Sequence, residues 1–355
     1  MMRVISNEAE AIAFLMELVS LPSPSGQERP AVECLVHEMA MYGAETEIDG
    51  AGNAVGAFGS GSNQIVLLGH IDTVPGIIPI RREENLLYGR GTVDAKGPLA
   101  AMAMAAAQMG AIPGWQVIVI GATEEEEATS RGARYILERY HPRYCVIGEP
   151  SGWNRITLGY KGRLLMDYAL EVPLLHTAGE ANGACELAFS YWQHLLTYCS
   201  LFNQGKQSHF TTLDPSLRRI NSTDNGLYER VDMHLGLRLP PEAPVESLLV
   251  ALDSWRGAAR LHVHGQEQPF VAEKRTPLSA AFLTAIRAVA GQPAFVFKTG
   301  TSDMNVVGPI WNCPIVTYGP GDSTLDHTPD ERLDLNEYLR SIQVLIGVLK
   351  RLTMS

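Results

Sequence analysis

Ile65-Val-Leu-Leu-Gly-His-Ile-Asp-Thr-Val-Pro75, followed after a spacer by Tyr88-Gly-Arg-Gly-Thr-Val-Asp-Ala-Lys-Gly97, decides how this chain is read. Ile65 to Leu68 is an apolar run with the length and composition of a fully buried parallel strand. It stops at Gly69 and delivers His70 and Asp72 to the strand's carboxyl end, where open α/β sheets place their sites. Two apart in extended chain, the two side chains point to one side, so the carboxylate can steer the imidazole. Asp94 follows, between glycine-rich turn residues and an alanine-rich helix.

Two further buried strands lie outward from this stretch. Val117 to Ile120 runs into Glu124-Glu-Glu-Glu127, and Cys145 to Gly148 ends in Glu149. A run of four acids is ordinarily a solvated face, but this one caps a core strand. Carboxylates gathered at one sheet edge repel one another unless a cation neutralises them. A later strand, Ile315 to Tyr318, leads through Gly319-Pro-Gly-Asp-Ser-Thr-Leu-Asp-His327-Thr-Pro-Asp-Glu331 and adds a second histidine. Nitrogen and oxygen donors without thiolate suit zinc or cobalt in a catalytic site with an open position.

The bulk properties exclude several classes. A length of 355 residues favours two domains over one core. A net charge of −11 argues against a general nucleic-acid or anionic-membrane surface. Five cysteines, an odd number without a C-x-x-C pair, predict neither a disulfide framework nor a thiolate zinc site, and a reducing cytoplasm is the expected compartment. Ile12, Leu15, Met16 and Val19 recur at helical spacing beside Glu17, which reads as an amphipathic helix and not a signal peptide. No apolar run is long enough for a membrane span, and neither a G-x-S-x-G elbow nor a G-x-x-x-x-G-K loop is present.

Ser25 and Glu28 are placed to form a capping box for a second helix carrying Val32, Leu35, Val36 and Met39. From about Arg163 the acidic strand ends cease. A strand over 164–172, a helix over 184–198, a strand over 228–239, a helix over 245–255 and a strand over 259–264 predict a small α+β module inserted into the first domain. The domains are thus 1–162 with 272–355, and 163–271. The module's helices would cover one sheet face and leave an edge strand that a second subunit could pair with. His262 and His264 alternate in its last strand and are read as having no part in metal binding.

Together these motifs resemble the M20 peptidases. The resemblance implies an α/β fold: a mixed-sheet, dinuclear zinc aminopeptidase/carboxypeptidase-like catalytic domain with an inserted ferredoxin-like lid and dimerisation domain. It implies two Zn2+ or Co2+ ions bridged by Asp94, one with His70 and Glu149, the other with Glu127 and His327. Glu126 is then the general base, Asp72 steers His70, and Asp94-Ala95 is a cis peptide. The family's Glu-Glu pair stands six and five residues before a glycine that opens the next helix. Gly132 selects Glu126 and Glu127, while a slip by one makes Glu125 the base and Glu126 the ligand; both registers stay open. His176, in Leu-Leu-His-Thr-Ala-Gly, matches a histidine that in dimeric relatives stabilises the oxyanion in the partner's site, although Glu180 replaces the usual proline.

Gly148-Glu-Pro-Ser-Gly-Trp153, Leu158-Gly-Tyr-Lys-Gly-Arg163 and Lys298-Thr-Gly-Thr-Ser-Asp-Met-Asn305 resemble the branch that releases lysine or ornithine from an acyl group. In that branch the acyl group is acetyl or the γ-glutamyl end of an acidic amino-group carrier protein, within lysine and arginine biosynthesis. Lys161, Arg163 and Lys298 are cations that could bind a substrate carboxylate or serve in ordinary salt bridges, Ser302 and Asp303 could place its amine or make an Asx-turn, and Asn221 and Arg238 match weaker substrate contacts. A homodimer without nucleic-acid or membrane partners is expected. Competing readings are a succinyl-diaminopimelate desuccinylase, a dipeptidase or carboxypeptidase, and a silent metal- or amino-acid-binding protein, which should have lost the base. An acidic carrier would be repelled at long range by a chain at −11 unless a basic patch intervenes.

Overall fold

The computed structural model describes residues 8–176 and 181–354. The chain forms two compact units, one made of Met1–Gly159, Val271–Phe297 and Ser302–Ser355, the other of Tyr160–Phe270 and Lys298–Thr301. The last short segment belongs with the second unit through its hydrogen bonds. The Lys161 N–H donates to the Lys298 carbonyl at 3.2 Å, and Arg238 Nη1 donates to Thr301 Oγ1 at 3.1 Å.

A nine-stranded mixed sheet forms the first unit. Asn63–His70 lies inside it, parallel to Trp115–Ala122 on one side and to Tyr144–Gly148 on the other, and Ile315–Thr317 continues the parallel set. Ile65 to Leu68 are fully buried, which is why they read as an unbroken apolar run. Register then builds the site: His70 pairs with Ala122 and Gly69 with Gly148. The acids that follow Ala122 and Gly148 therefore emerge at the same sheet edge as His70.

The helix Lys96–Met109 is buried at every residue from Lys96 to Ala106, and its alanines allow close approach to the C-terminal helix Leu335–Thr353. Tyr338, Ile342, Leu345 and Leu349 form the inward face of that last helix. Each such buried apolar side chain contributes about 1.5–3 kcal/mol. The second helix spans Arg29–Met41 as expected, but Ser25 does not cap it; its hydroxyl is turned to Asp72.

The second unit runs strand Gly162–Pro173, helix Ala184–Asn203, strands Asp214–Asp224 and Tyr228–Leu239, helix Val245–Trp255 and strand Arg260–Glu267. Across the sheet the order is Asp214–Asp224, Tyr228–Leu239, Gly162–Pro173, Arg260–Glu267, all antiparallel. This is the β-α-β-β-α-β arrangement of ferredoxin-like folds. Leu164, Met166, Tyr168, Val231, Met233 and Leu235 point to the helices, so the alternate residues face the other way. Asp214–Asp224 is a strand the sequence reading does not contain, because its residues are mostly polar and exposed.

Candidate metal centre

Asp94 is the hub. One of its oxygens, Oδ1, lies 3.2 Å from His70 Nε2, and the other, Oδ2, lies 2.9 Å from His327 Nε2. Around the first histidine, Glu149 Oε1 stands 3.7 Å from Nε2; around the second, Glu126 Oε1 stands 3.1 Å from Nε2. His70, Asp94 and Glu149 form one cluster whose donor atoms lie within 4.8 Å of one another, and Asp94, Glu126 and His327 form another. A carboxylate shared between two His/carboxylate clusters, with no thiolate, is a donor set that fits two divalent ions. The Asp94-Ala95 peptide is cis.

The four-glutamate run resolves into four different surroundings. Glu124, at φ +57°, turns its side chain to Thr129 at 3.0 Å and Arg131 at 3.2 Å. Glu125 and Glu126 point inward and share a cluster with His70. Glu127 is exposed. The expectation that Glu127 faces His327 is therefore replaced by the register one residue earlier, with Glu126 against His327 and Glu125 beside it. Gly132 opens the following helix, Arg131–Tyr135, because no side chain fits there: a Cβ would meet Asn53 Oδ1 at 2.3 Å and Thr123 N at 2.5 Å.

Asp72 sets this register. Its Oδ1 accepts the Glu125 N–H and its Oδ2 the Glu126 N–H, each at 3.1 Å, while the Ser25 hydroxyl donates to Oδ2 at 2.7 Å. His70 Nδ1 lies 2.9 Å from the Asp72 carbonyl, which turns Nε2 toward Asp94. Glu331, whose sequence position gives no sign of its burial, does the same for the bridge. Its buried carboxylate accepts the Val93 N–H at 3.0 Å and the Asp94 N–H at 3.2 Å, and Arg90 pairs with its other oxygen at 2.7 Å. Lys96, also buried, donates to the Leu18 and Leu21 carbonyls, ahead of Ser23 and Ser25. Burial pushes its amine down to about 8.

Charge in the cluster is set by burial and by proton sharing. Burial lifts the Glu125 carboxyl well above the usual range against the pull of His70, and Glu149, Glu126 and Asp303 push it further. Burial likewise raises Glu149 and Glu126. Burial would raise Asp94 too, yet hydrogen bonds with His327 and His70 hold it well below the carboxylate range. Those with Asp94 and Glu126 push the His327 imidazole up to about 10.

The remaining expected residues fall in varied places. Lys161 is fully buried; it donates to the Thr212 carbonyl at 2.6 Å and pairs with Asp214, so it holds the second unit together instead of waiting for a substrate carboxylate. Ser302 caps the helix Asp303–Trp311, its hydroxyl accepting the Met304 N–H at 3.2 Å. Asp303 is buried close enough to the centre to raise Glu125 and Glu149. Arg163 and Arg238 stand directly opposite one another on adjacent strands, and Lys298 is half-buried in the same unit. Asn221 is exposed on the edge strand. His176 is exposed; Thr177 to Glu180, which complete its motif, lie outside the described residues.

A parallel-centred sheet carrying two histidines about one shared aspartate, flanked by glutamates, defines a metal-dependent hydrolase of amide bonds. The chain belongs to peptidase family M20/M25/M40, whose family profile matches residues 66–351. It is similar to the LysW-lysine hydrolase of Deinococcus radiodurans, with 43% identity over 347 residues and 96% of each chain covered. It is also similar to the LysW-lysine/LysW-ornithine hydrolase of Saccharolobus islandicus, with 28% identity over 345 residues, 97% of this chain and 96% of that one. In fold it resembles the M20 family metallo-carboxypeptidase Sso-CP2 from Sulfolobus solfataricus. There the TM-score is 0.80 at 16% identity, covering 98% of this chain and 100% of the other. Among the described residues no helix is long and apolar enough to cross a membrane.

Proposed function

We propose that this chain releases lysine or ornithine from a γ-glutamyl link to an acidic amino-group carrier protein, in the cytoplasm, using two zinc or cobalt ions. The observation that carries the chemistry is Asp94, with one oxygen toward His70 and the other toward His327. The substrate rests on the likeness over almost the whole chain to relatives named for LysW-linked lysine and ornithine.

His70 and Glu149 would hold one ion and Glu126 and His327 the other, with Asp94 between. When bound, such a pair polarises an amide carbonyl and lowers the pKa of a water. Glu125 is the general base: its carboxylate takes the water's proton and returns it to the departing α-amine. Asp72 keeps Glu125 and Glu126 in place through their backbone N–H groups.

Arg163 and Arg238 are directly opposed across a ladder, with Glu267 the partner of Arg163 and Asp214 the partner of Arg238 on their outer sides. We assign this pair, with Lys298, to the substrate's carboxylates and to the local basic patch an acidic carrier needs. His176 is assigned to the oxyanion in a dimer.

A panel of α-acetyl-lysine, α-acetylornithine, a succinylated diaminopimelate and lysine γ-glutamyl-linked to an acidic carrier tests the reading with metal-stripped and metal-restored protein. Metal-dependent release from the carrier substrate is expected. Turnover of the succinylated compound alone would overturn the substrate while leaving the centre intact.

A further inference from the structure

On the second unit's sheet, the face turned away from the helices carries a second cluster of metal-ligating side chains that the hydrolytic centre does not use. Asp167 sits on the central strand. Its ladder partners are His234 on one neighbouring strand and His262 on the other, and His264 lies two residues along from His262. Spacing alone gives His262 and His264 no metal role; the strand order brings in the carboxylate and the third imidazole.

The donor atoms converge. His234 Nδ1 lies 2.6 Å from Asp167 Oδ1, and His264 Nε2 lies 3.4 Å from Asp167 Oδ2. Candidate donor atoms of Asp167, His234 and His264 lie within 4.8 Å of one another. The rings of His234 and His264 are stacked, with centroids 5.5 Å apart, and His262 stacks on His264 at 5.7 Å. A tetrahedral ion with bonds of about 2.0–2.1 Å sets its donors about 3.3 Å apart, close to the observed His264 separation. The His234 contact would open by about 0.7 Å to match. Independently, His264 Nε2 is buried and makes no hydrogen bond among the described residues, although it faces a carboxylate. A buried ring nitrogen facing a carboxylate is satisfied by a shared proton or by a metal cation between the two. Asp167 is about half exposed, at 53%, so an ion can enter from solvent.

We propose that Asp167, His234 and His264 form a further divalent-cation site of the zinc class on the helix-free face of this sheet. Two imidazoles and one carboxylate leave a fourth position, which water or the adjacent His262 fills. The donor set selects zinc, cobalt or nickel over magnesium or calcium. The site stands on residues of the second unit alone and does not depend on the hydrolytic reading.

The test is zinc content per chain after loading and desalting, for the full chain and for Asp167→Asn and His264→Gln. Wild type is expected to retain one more zinc ion per chain than either variant, at unchanged hydrolytic turnover. A second readout needs no variant: added Zn2+ should shift the imidazole C–H signals of His234 and His264 in the wild-type NMR spectrum. Equal zinc content in all three proteins, or imidazole signals that zinc does not move, would overturn the proposal.

Discussion

The Asp72 carboxylate accepts the backbone N–H of Glu126 at 3.1 Å, across 54 residues of sequence, and so decides which glutamate of a run of four reaches His327. Partners of this kind are generally worth 10- to 100-fold in metal affinity or activity. We therefore expect Asp72→Ala to weaken metal binding by about that factor. Ser25→Ala, which removes one of several groups facing the same carboxylate, should have a smaller effect. Metal titration of the two variants measures both, and equal affinities for Asp72→Ala and wild type would remove Asp72 from this role.

Glu331 ties the bridging residue's backbone to Arg90 in an ion pair whose carboxylate is fully buried and whose guanidinium is largely so. Removing one partner of such a pair leaves an uncompensated charge, so Glu331→Ala should destabilise the metal-free chain by about 3–5 kcal/mol. Glu331→Gln, which keeps an acceptor for the Asp94 N–H, should lose less. Urea denaturation of both variants gives the comparison.

Metal binding should strengthen with pH. With the His327 pKa at about 10 in the metal-free chain, its imidazole is protonated at neutral pH, and coordination through Nε2 must release that proton. Affinity then rises about tenfold per pH unit for each proton displaced and falls correspondingly as pH drops. The stability of the metal-free chain runs the opposite way. A pKa raised above the ordinary 6.5 gives stability that is fully present below 6.5 and is lost as pH rises toward 10. Calorimetry in buffers of different ionisation enthalpy counts the released protons, and a pH-independent affinity would contradict the assignment.

Arg163 and Arg238, partnered across the ladder by Glu267 and Asp214, are the cations we assign to the substrate's carboxylates. Arg238→Gln should raise KM for the carrier-linked substrate by about tenfold with little change in kcat, the signature of lost uniform binding. A fall in kcat at constant KM would place Arg238 elsewhere in the reaction.

Much of this architecture is legible in the sequence. The buried strands end where the apolar runs stop, and His70, Asp94, Glu126, Glu149 and His327 all belong to motifs at those ends. Counting back from Gly132 could not settle the glutamate register, because the left-handed backbone at Glu124 and the two oxygens of Asp72 are tertiary facts. Asp214–Asp224 escaped because a polar edge strand lacks the apolar alternation, though Asn225-Gly226 after it is a hairpin signal that would have found it. Charge in a sequence does not reveal burial, so the choice between a substrate cation and a salt bridge at Lys161 needs its buried pairing with Asp214. Glu331 was hidden by the same limit.

The most direct test compares turnover and bound metal in Glu125→Gln, Glu126→Gln and Glu127→Gln. Glu125→Gln should keep both ions and lose about 10²–10⁴-fold in turnover. Glu126→Gln should lose metal as well as activity, and Glu127→Gln, altered only at an exposed side chain, should behave as wild type. Near wild-type turnover in Glu125→Gln, or metal loss on changing Glu127, would contradict the account.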